Sequence, residues 1–150
     1  MIEGVKVKTL KIIPDNRGRL VEILRCDDEC FQQFGQVYMT TAYPGIIKAW
    51  HYHKLQADNF TCVSGKILLA LYDARKHSPT YGEINDFIIS LQEPKLIHIP
   101  KEVYHGFKNI GVTEAIVINT VTNPYNHSNP DEYRLDALDE TIGYKWDRKE

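Results

Sequence analysis

Short runs of alternating apolar and polar residues, broken by turn residues, make up most of the chain. A period of two places successive side chains on opposite faces of a strand, so such runs read as half-buried β-strands. The expected strands are Val5–Ile13, Leu20–Leu24, Gln36–Thr41, Ile46–Tyr52, Asn59–Val63, Lys66–Asp73, Ile84–Leu91, Lys95–Ile99, Val103–Lys108 and Ala115–Thr122. They are rich in Val, Ile, Thr, Tyr and Phe. Turns are expected at Pro14-Asp15-Asn16, Tyr43-Pro44-Gly45, Ser64-Gly65 and Asn109-Ile110-Gly111. Only Asp27–Phe34 reads as helical, with Asp27 or Asp28 as cap and Gly35 as stop. Roughly ten strands at this spacing predict an all-β sandwich or jelly-roll barrel. The barrel is expected over about residues 5–122, with a C-terminal segment over about 123–150. That segment is polar, but Tyr144 and Trp146 are expected to dock on the barrel, because disordered tails rarely carry such aromatics.

Composition narrows the function classes. The chain has 150 residues, which fits one domain. Its 18 basic and 20 acidic residues leave a net charge of -2, without the basic footprint of a nucleic-acid binder. The longest apolar run, Ile67 to Tyr72, is strand-sized, far below the roughly 18 residues of a membrane span. The opening residues lack the unbroken apolar stretch of a signal peptide, and Cys26, Cys30 and Cys62 read as free thiols. A cytoplasmic location is therefore expected, with neither nucleic acid nor membrane as partner.

The candidate chemistry is concentrated in two stretches. Between Gly45 and Gly65 lie His51, His53 and Asp58, and a strand would put His51 and His53 on one face. Between Pro100 and Asn109 lies His105. This pairing is similar to the two-part signature of the cupin superfamily, whose fold is a small jelly-roll barrel. The resemblance implies a candidate metal site of His51, His53, Asp58 and His105. Imidazole and carboxylate ligands would suit Zn, Fe, Mn or Ni. The sequence departs from that signature at Glu102, where a Gly is expected.

A second resemblance covers most of the chain. Asp15-Asn-Arg17-Gly18-Arg-Leu20-Val-Glu22, Gln36, Lys48-Ala-Trp-His51, Asp73-Ala-Arg75, Ser78-Pro-Thr80-Tyr-Gly82, Ile99-Pro100, Tyr104-His105-Gly-Phe107 and Asp139 with Trp146 fall in order. Together they resemble the dTDP-4-dehydrorhamnose 3,5-epimerase family, itself cupin-folded. The resemblance implies an isomerase that removes a proton beside the ketone of a nucleoside-diphosphate 4-keto-6-deoxyhexose, in surface polysaccharide biosynthesis. It implies His51 as general base, Asp139 as the carboxylate holding His51, and Tyr125 as proton donor after the adjustment that Pro124 would require. It implies Arg17, Gln36, Lys48 and His105 as substrate-binding groups, with Asp73 supporting His105. It also implies a homodimer in which Arg17 serves the neighbouring subunit, and no required cofactor. Lys48 stands where the family has Arg, which keeps the charge but not the bidentate fork. Asp58 stands where the family has Lys, and Asn123 stands at the ungapped position of the donor Tyr.

Two other readings stay open. Asp58 completes the metal pattern, so a metal could replace the missing Lys as Lewis acid in a metal-dependent cupin enzyme. Alternatively, the chain binds a sugar nucleotide and does no chemistry.

Overall fold

A computed structural model describes all 150 residues and contains strands and turns but no helix. The strands are β1 (Lys6–Thr9), β2 (Ile12–Asp15), β3 (Gly18–Val21), β4 (Gln36–Ala42), β5 (Ile47–Tyr52) and β6 (Asp58–Ser64). They continue with β7 (Lys66–Asp73), β8 (Ile84–Ser90), β9 (Lys95–Ile99), β10 (Val103–Asn109), β11 (Ala115–Val121) and β12 (Tyr133–Arg134). One sheet runs β1-β9-β6-β11-β4 and the other β12-β5-β10-β7-β8, while β2 and β3 form a separate hairpin. All pairings are antiparallel. No helix is long and apolar enough to cross a membrane.

The main core fills the space between the sheets. Phe60 and Cys62 from β6, Ile67, Leu69 and Leu71 from β7, Ile97 and Ile99 from β9, and Phe107 from β10 meet there. A second cluster lies on the outer face of the β5-containing sheet, where Ile142 and Trp146 of the C-terminal segment cover Trp50, Leu68, Ala70 and Ile88. This explains the unbroken apolar run in β7: its odd residues face the interior and its even ones face the tail, so both faces are dry. Trp146 lies 5.1 Å from Trp50 between ring centroids, and its indole N–H donates to the Ala137 carbonyl at 3.0 Å. The expected docking of Tyr144 and Trp146 is thus what the chain does.

Three expectations need correction. The run Val5–Ile13 is two strands, because the chain turns away at buried Leu10, whose N–H is taken by the Pro94 carbonyl at 3.0 Å. Asp27–Phe34 is a pair of turns rather than a helix. Its main-chain bonds span three residues, Asp28 N to Arg25 O and Phe31 N to Asp28 O, and Asp28 turns back to Lys8 and to the Arg25 N–H. A segment this short has too few internal bonds to offset nucleation, and tertiary contacts decide its shape. Finally, β12 arises within a stretch that carries no strand pattern; it pairs Tyr133 with Tyr52 and Arg134 with His51.

Close approach of β10 to β5 fixes the site strands. A Cβ added to Gly106 would lie 2.7 Å from Ala49 Cα and 2.9 Å from the Lys48 carbonyl, so only glycine lets the two strands meet there. The same pairing sets His105 directly across from His51. All three cysteines are unpaired, with Cys26 exposed and Cys30 and Cys62 buried.

Candidate active site

A cavity of about 890 Å³ opens between the two sheets. His51, Lys48 and Ala49 enter it from β5, His105 and Phe107 from β10, Gln36, Tyr38 and Thr40 from β4, and Asn123 to Asn126 from the segment after β11. Its size suits a ligand larger than a free monosaccharide.

His51 stands beside Glu132, with Nδ1 3.3 Å from the carboxylate Oε1. Donation of the Nδ1 hydrogen to Glu132 leaves the Nε2 lone pair free, which is the tautomer a general base requires. Glu132 is held in turn by Arg134, at 3.2 Å from Nε and 3.0 Å from Nη2. Burial and the neighbouring charge of His105 hold the His51 imidazole down to about 4, although Glu132 pulls the other way. His51 is therefore neutral near pH 7.

Behind the cavity wall formed by His53, Gln56 and His105, Asp58 is fully buried. Its Oδ1 accepts from Gln56 Nε2 at 2.8 Å and its Oδ2 from Asn119 Nδ2 at 3.0 Å. His105 Nε2 lies 3.1 Å and His53 Nε2 3.6 Å from the same Oδ2. Burial alone would raise the Asp58 carboxyl, but these partners bring it well below the usual carboxylate range. His53 is displaced upwards: burial would lower it, and the bond to Asp58 and the Asp131 carbonyl outweigh that. Both rings are oriented from behind, since His53 Nδ1 donates to the Asp131 carbonyl at 2.7 Å and His105 Nδ1 to the Val103 carbonyl at 3.1 Å. Each ring thus has oxygen atoms beside both of its nitrogens.

The structure brings together His51, His53, Asp58 and His105, as the cupin resemblance implies, but not as one cluster of four. Donor atoms of His53, Asp58 and His105 lie within 4.8 Å of one another, while His51 turns towards Glu132. Tyr125, Gln36 and Lys48 line the cavity. Gln36 Oε1 accepts the Tyr125 main-chain N–H at 2.7 Å, so Gln36 positions that loop, and Lys48 Nζ donates to Thr40 Oγ1 at 3.1 Å.

The remaining residues lie elsewhere. Asp139 does not meet His51: it is half-buried and caps its own turn through Thr141, and Glu132 occupies the place beside the imidazole. Asp73 does not support His105. It is buried among Arg75 Nε (2.8 Å), Ser78 Oγ (2.7 Å) and Thr80 Oγ1 (2.7 Å), and ties the β7–β8 connection together. Arg17 sits on the exposed β2–β3 turn, paired with Asp15 at 2.6 Å, and is absent from the cavity wall of its own chain. Glu102 adopts a φ of 67°, the left-handed conformation that glycine would take without strain, so the backbone keeps the shape of the motif although the residue departs from it.

Glu132, Arg134 and Tyr38 were not singled out by the sequence. Glu132 and Arg134 come from an aperiodic polar stretch, while Tyr38 sits in a recognisable strand with nothing local to mark it.

Comparison with known proteins gives a consistent picture. The family described as dTDP-4-dehydrorhamnose 3,5-epimerase matches residues 1–150. The chain is 42% identical over 146 residues to the spore coat polysaccharide biosynthesis protein SpsL of Bacillus subtilis, covering 97% of each chain. It is 41% identical over 136 residues to the probable low-salt glycan biosynthesis epimerase Agl13 of Haloferax volcanii, covering 89% of this chain and 87% of that one. The crystal structure of a dTDP sugar isomerase from Desulfovibrio desulfuricans superposes with a TM-score of 0.91 at 32% identity, over 97% of this chain and 92% of that one.

Proposed function

Because the chain belongs to the dTDP-4-dehydrorhamnose 3,5-epimerase family, we propose that it epimerises a nucleoside-diphosphate 4-keto-6-deoxyhexose in glycan assembly. The observation that carries this reading is the His51–Glu132 pair at the wall of a cavity of nucleotide-sugar size. A C–H beside a ketone is weakly acidic. A neutral imidazole with a carboxylate behind it can take that proton and share the resulting charge. Inversion then needs a proton returned from the other side. Tyr125 lines the cavity from the segment after β11, and is the donor that the family resemblance assigns. Lys48 and Arg134 are the wall cations suited to the diphosphate. Exposed Ile13 and Leu20 on the β2–β3 hairpin, with Val37 and Met39 on β4, fit burial against a second copy, which would also give Arg17 a cavity to reach.

The test is hydrogen exchange. In deuterated water the protein is expected to place deuterium at a carbon beside the ketone of such a substrate and to invert it. No exchange with any of the dTDP, UDP, GDP and CDP forms removes the proposal. Ligand-induced stabilisation without exchange would mark a binding protein instead.

One observation favours a second reading. His53 Nε2, Asp58 Oδ2 and His105 Nε2 converge, with both rings oriented by main-chain carbonyls, which is a donor set that fits a divalent ion. When bound, such an ion would act as a Lewis acid towards a ketone oxygen. Stoichiometric metal in purified protein, lost in His53→Ala, would support this reading, and none would remove it.

A further inference from the structure

Tyr38 reaches the cavity from β4, in the sheet that faces the one carrying His51. Its phenolic oxygen accepts from Asn119 Nδ2 at 2.8 Å, and the same amide nitrogen donates to Asp58 Oδ2 at 3.0 Å. An amide NH2 has two hydrogens, so both are spent. Reversing the amide would aim Asn119 Oδ1 at the Asp58 carboxylate, acceptor against acceptor. The buried charge therefore fixes the amide, and the amide fixes Tyr38 as an acceptor on that side.

A phenol carries one hydrogen, and no acceptor in the chain takes the one on Tyr38. The neighbouring side-chain donors turn to Asp58: Gln56 Nε2 donates to it at 2.8 Å, and His105 Nε2 and His53 Nε2 lie 3.1 Å and 3.6 Å from it. The network thus leaves one unclaimed O–H on a residue that lines the cavity from the sheet facing the base.

Removing a proton beside a ketone places negative charge on the ketone oxygen, and a donor aimed at that oxygen lowers the barrier. We propose that Tyr38 is a catalytic residue whose hydroxyl hydrogen-bonds the substrate's ketone oxygen and stabilises the enolate. The assignment rests on the epimerase reading above. His51 takes the proton, the C–H pair becomes the C=C bond, and the carbonyl π pair moves onto oxygen. Reprotonation at carbon reverses both shifts, and the Tyr38 O–H bond stays intact throughout. Burial and the charge of Asp58 push the phenol up to about 12, so it remains a donor over the working range.

The experiment compares wild type with Tyr38→Phe on a dTDP-linked 4-keto-6-deoxyhexose in deuterated water. NMR follows exchange and inversion separately, and thermal melting follows the fold. Exchange and inversion are expected to fall together by about 10²-fold, with KM changed by less than about threefold. Inversion lost while exchange persists would make Tyr38 a proton donor to carbon and overturn the assignment. Unchanged rates would overturn it as well. A wild type inert in both measurements removes the epimerase reading, and the role of Tyr38 with it. If Tyr38→Phe melts early, 3-fluorotyrosine in place of Tyr38 keeps the shape but alters the acidity of the donor. An unchanged rate there overturns the assignment too.

Discussion

Glu132 Oε1 stands 3.3 Å from Nδ1 of His51, and no other carboxylate occupies that position. Replacing His51 with Asn should lower exchange beside the ketone by about 10²- to 10⁴-fold. Glu132→Gln should lower it by about 10²-fold, since the ring would lose its preferred tautomer. Asp139→Asn should change it by less than about twofold, as expected for a residue whose carboxylate caps its own turn away from the imidazole. Initial rates at saturating substrate, with circular dichroism as a check on the fold, decide among these.

The pH profile should carry the same signature. A base works only when unprotonated, so activity is lost as pH falls through its pKa. Burial and His105 hold His51 down to about 4, against the usual 6.5. The acid limb of kcat/KM should therefore lie well below that of an ordinary histidine. The charge of Glu132 raises His51, so in Glu132→Gln the limb should move to still lower pH. A limb near pH 6.5 would contradict the site geometry.

Asp73 should matter for stability rather than chemistry. Burial would raise its carboxyl, but Arg75, Thr80 and Ser78 hold it below the usual range. A carboxyl depressed in the folded state contributes stability above its unfolded pKa of about 3.9 and loses it as pH falls towards the folded value. Asp73→Asn should cost about 3 kcal/mol at neutral pH and flatten the loss of stability below about pH 4. Urea melts at several pH values test this. Activity per folded molecule should stay unchanged.

Glu102 offers the opposite sign. Its φ of 67° strains a side chain that glycine lacks, and its N–H donates to the His53 carbonyl at 2.7 Å. Glu102→Gly should stabilise by about 0.5–1 kcal/mol, against the entropy glycine costs in the unfolded chain. Melting temperature should rise by about 1–3 °C, with activity unchanged.

How much of this was legible in the sequence depends on periodicity. His51 and His53 share a wall because both belong to one extended segment, as their spacing implied, and His105 joins them across a strand pair, as the cupin resemblance implied. β7 was legible as a strand from its apolar run, although the run could not say that the tail covers its second face. Glu132 was not legible. It precedes a two-residue strand that exists only because it pairs with β5, and nothing local marks such an element. Asp139 looked suitable because it carries the right chemical group near the right terminal tryptophan. The chain instead spends it on a local turn. Asp27 and Asp28 resembled helix caps for a similar reason, yet they satisfy Arg25 and Lys8.

Asp58 has one further consequence, for folding rather than turnover. It pairs with Ile99 on one side and Val121 on the other, and points inward with Phe60 and Cys62. On the opposite face of β6, Asn59 accepts from His98 Nδ1 at 2.9 Å and Thr61 donates to the Lys95 carbonyl at 2.8 Å. A slip of β6 by one residue would carry the carboxylate away from all its donors and turn Asn59 and Thr61 into the apolar interior. The buried charge behind His53 and His105 therefore acts as a register key: it makes the misaligned barrel expensive, so the arrangement of the site and the proofreading of its strands depend on the same carboxylate.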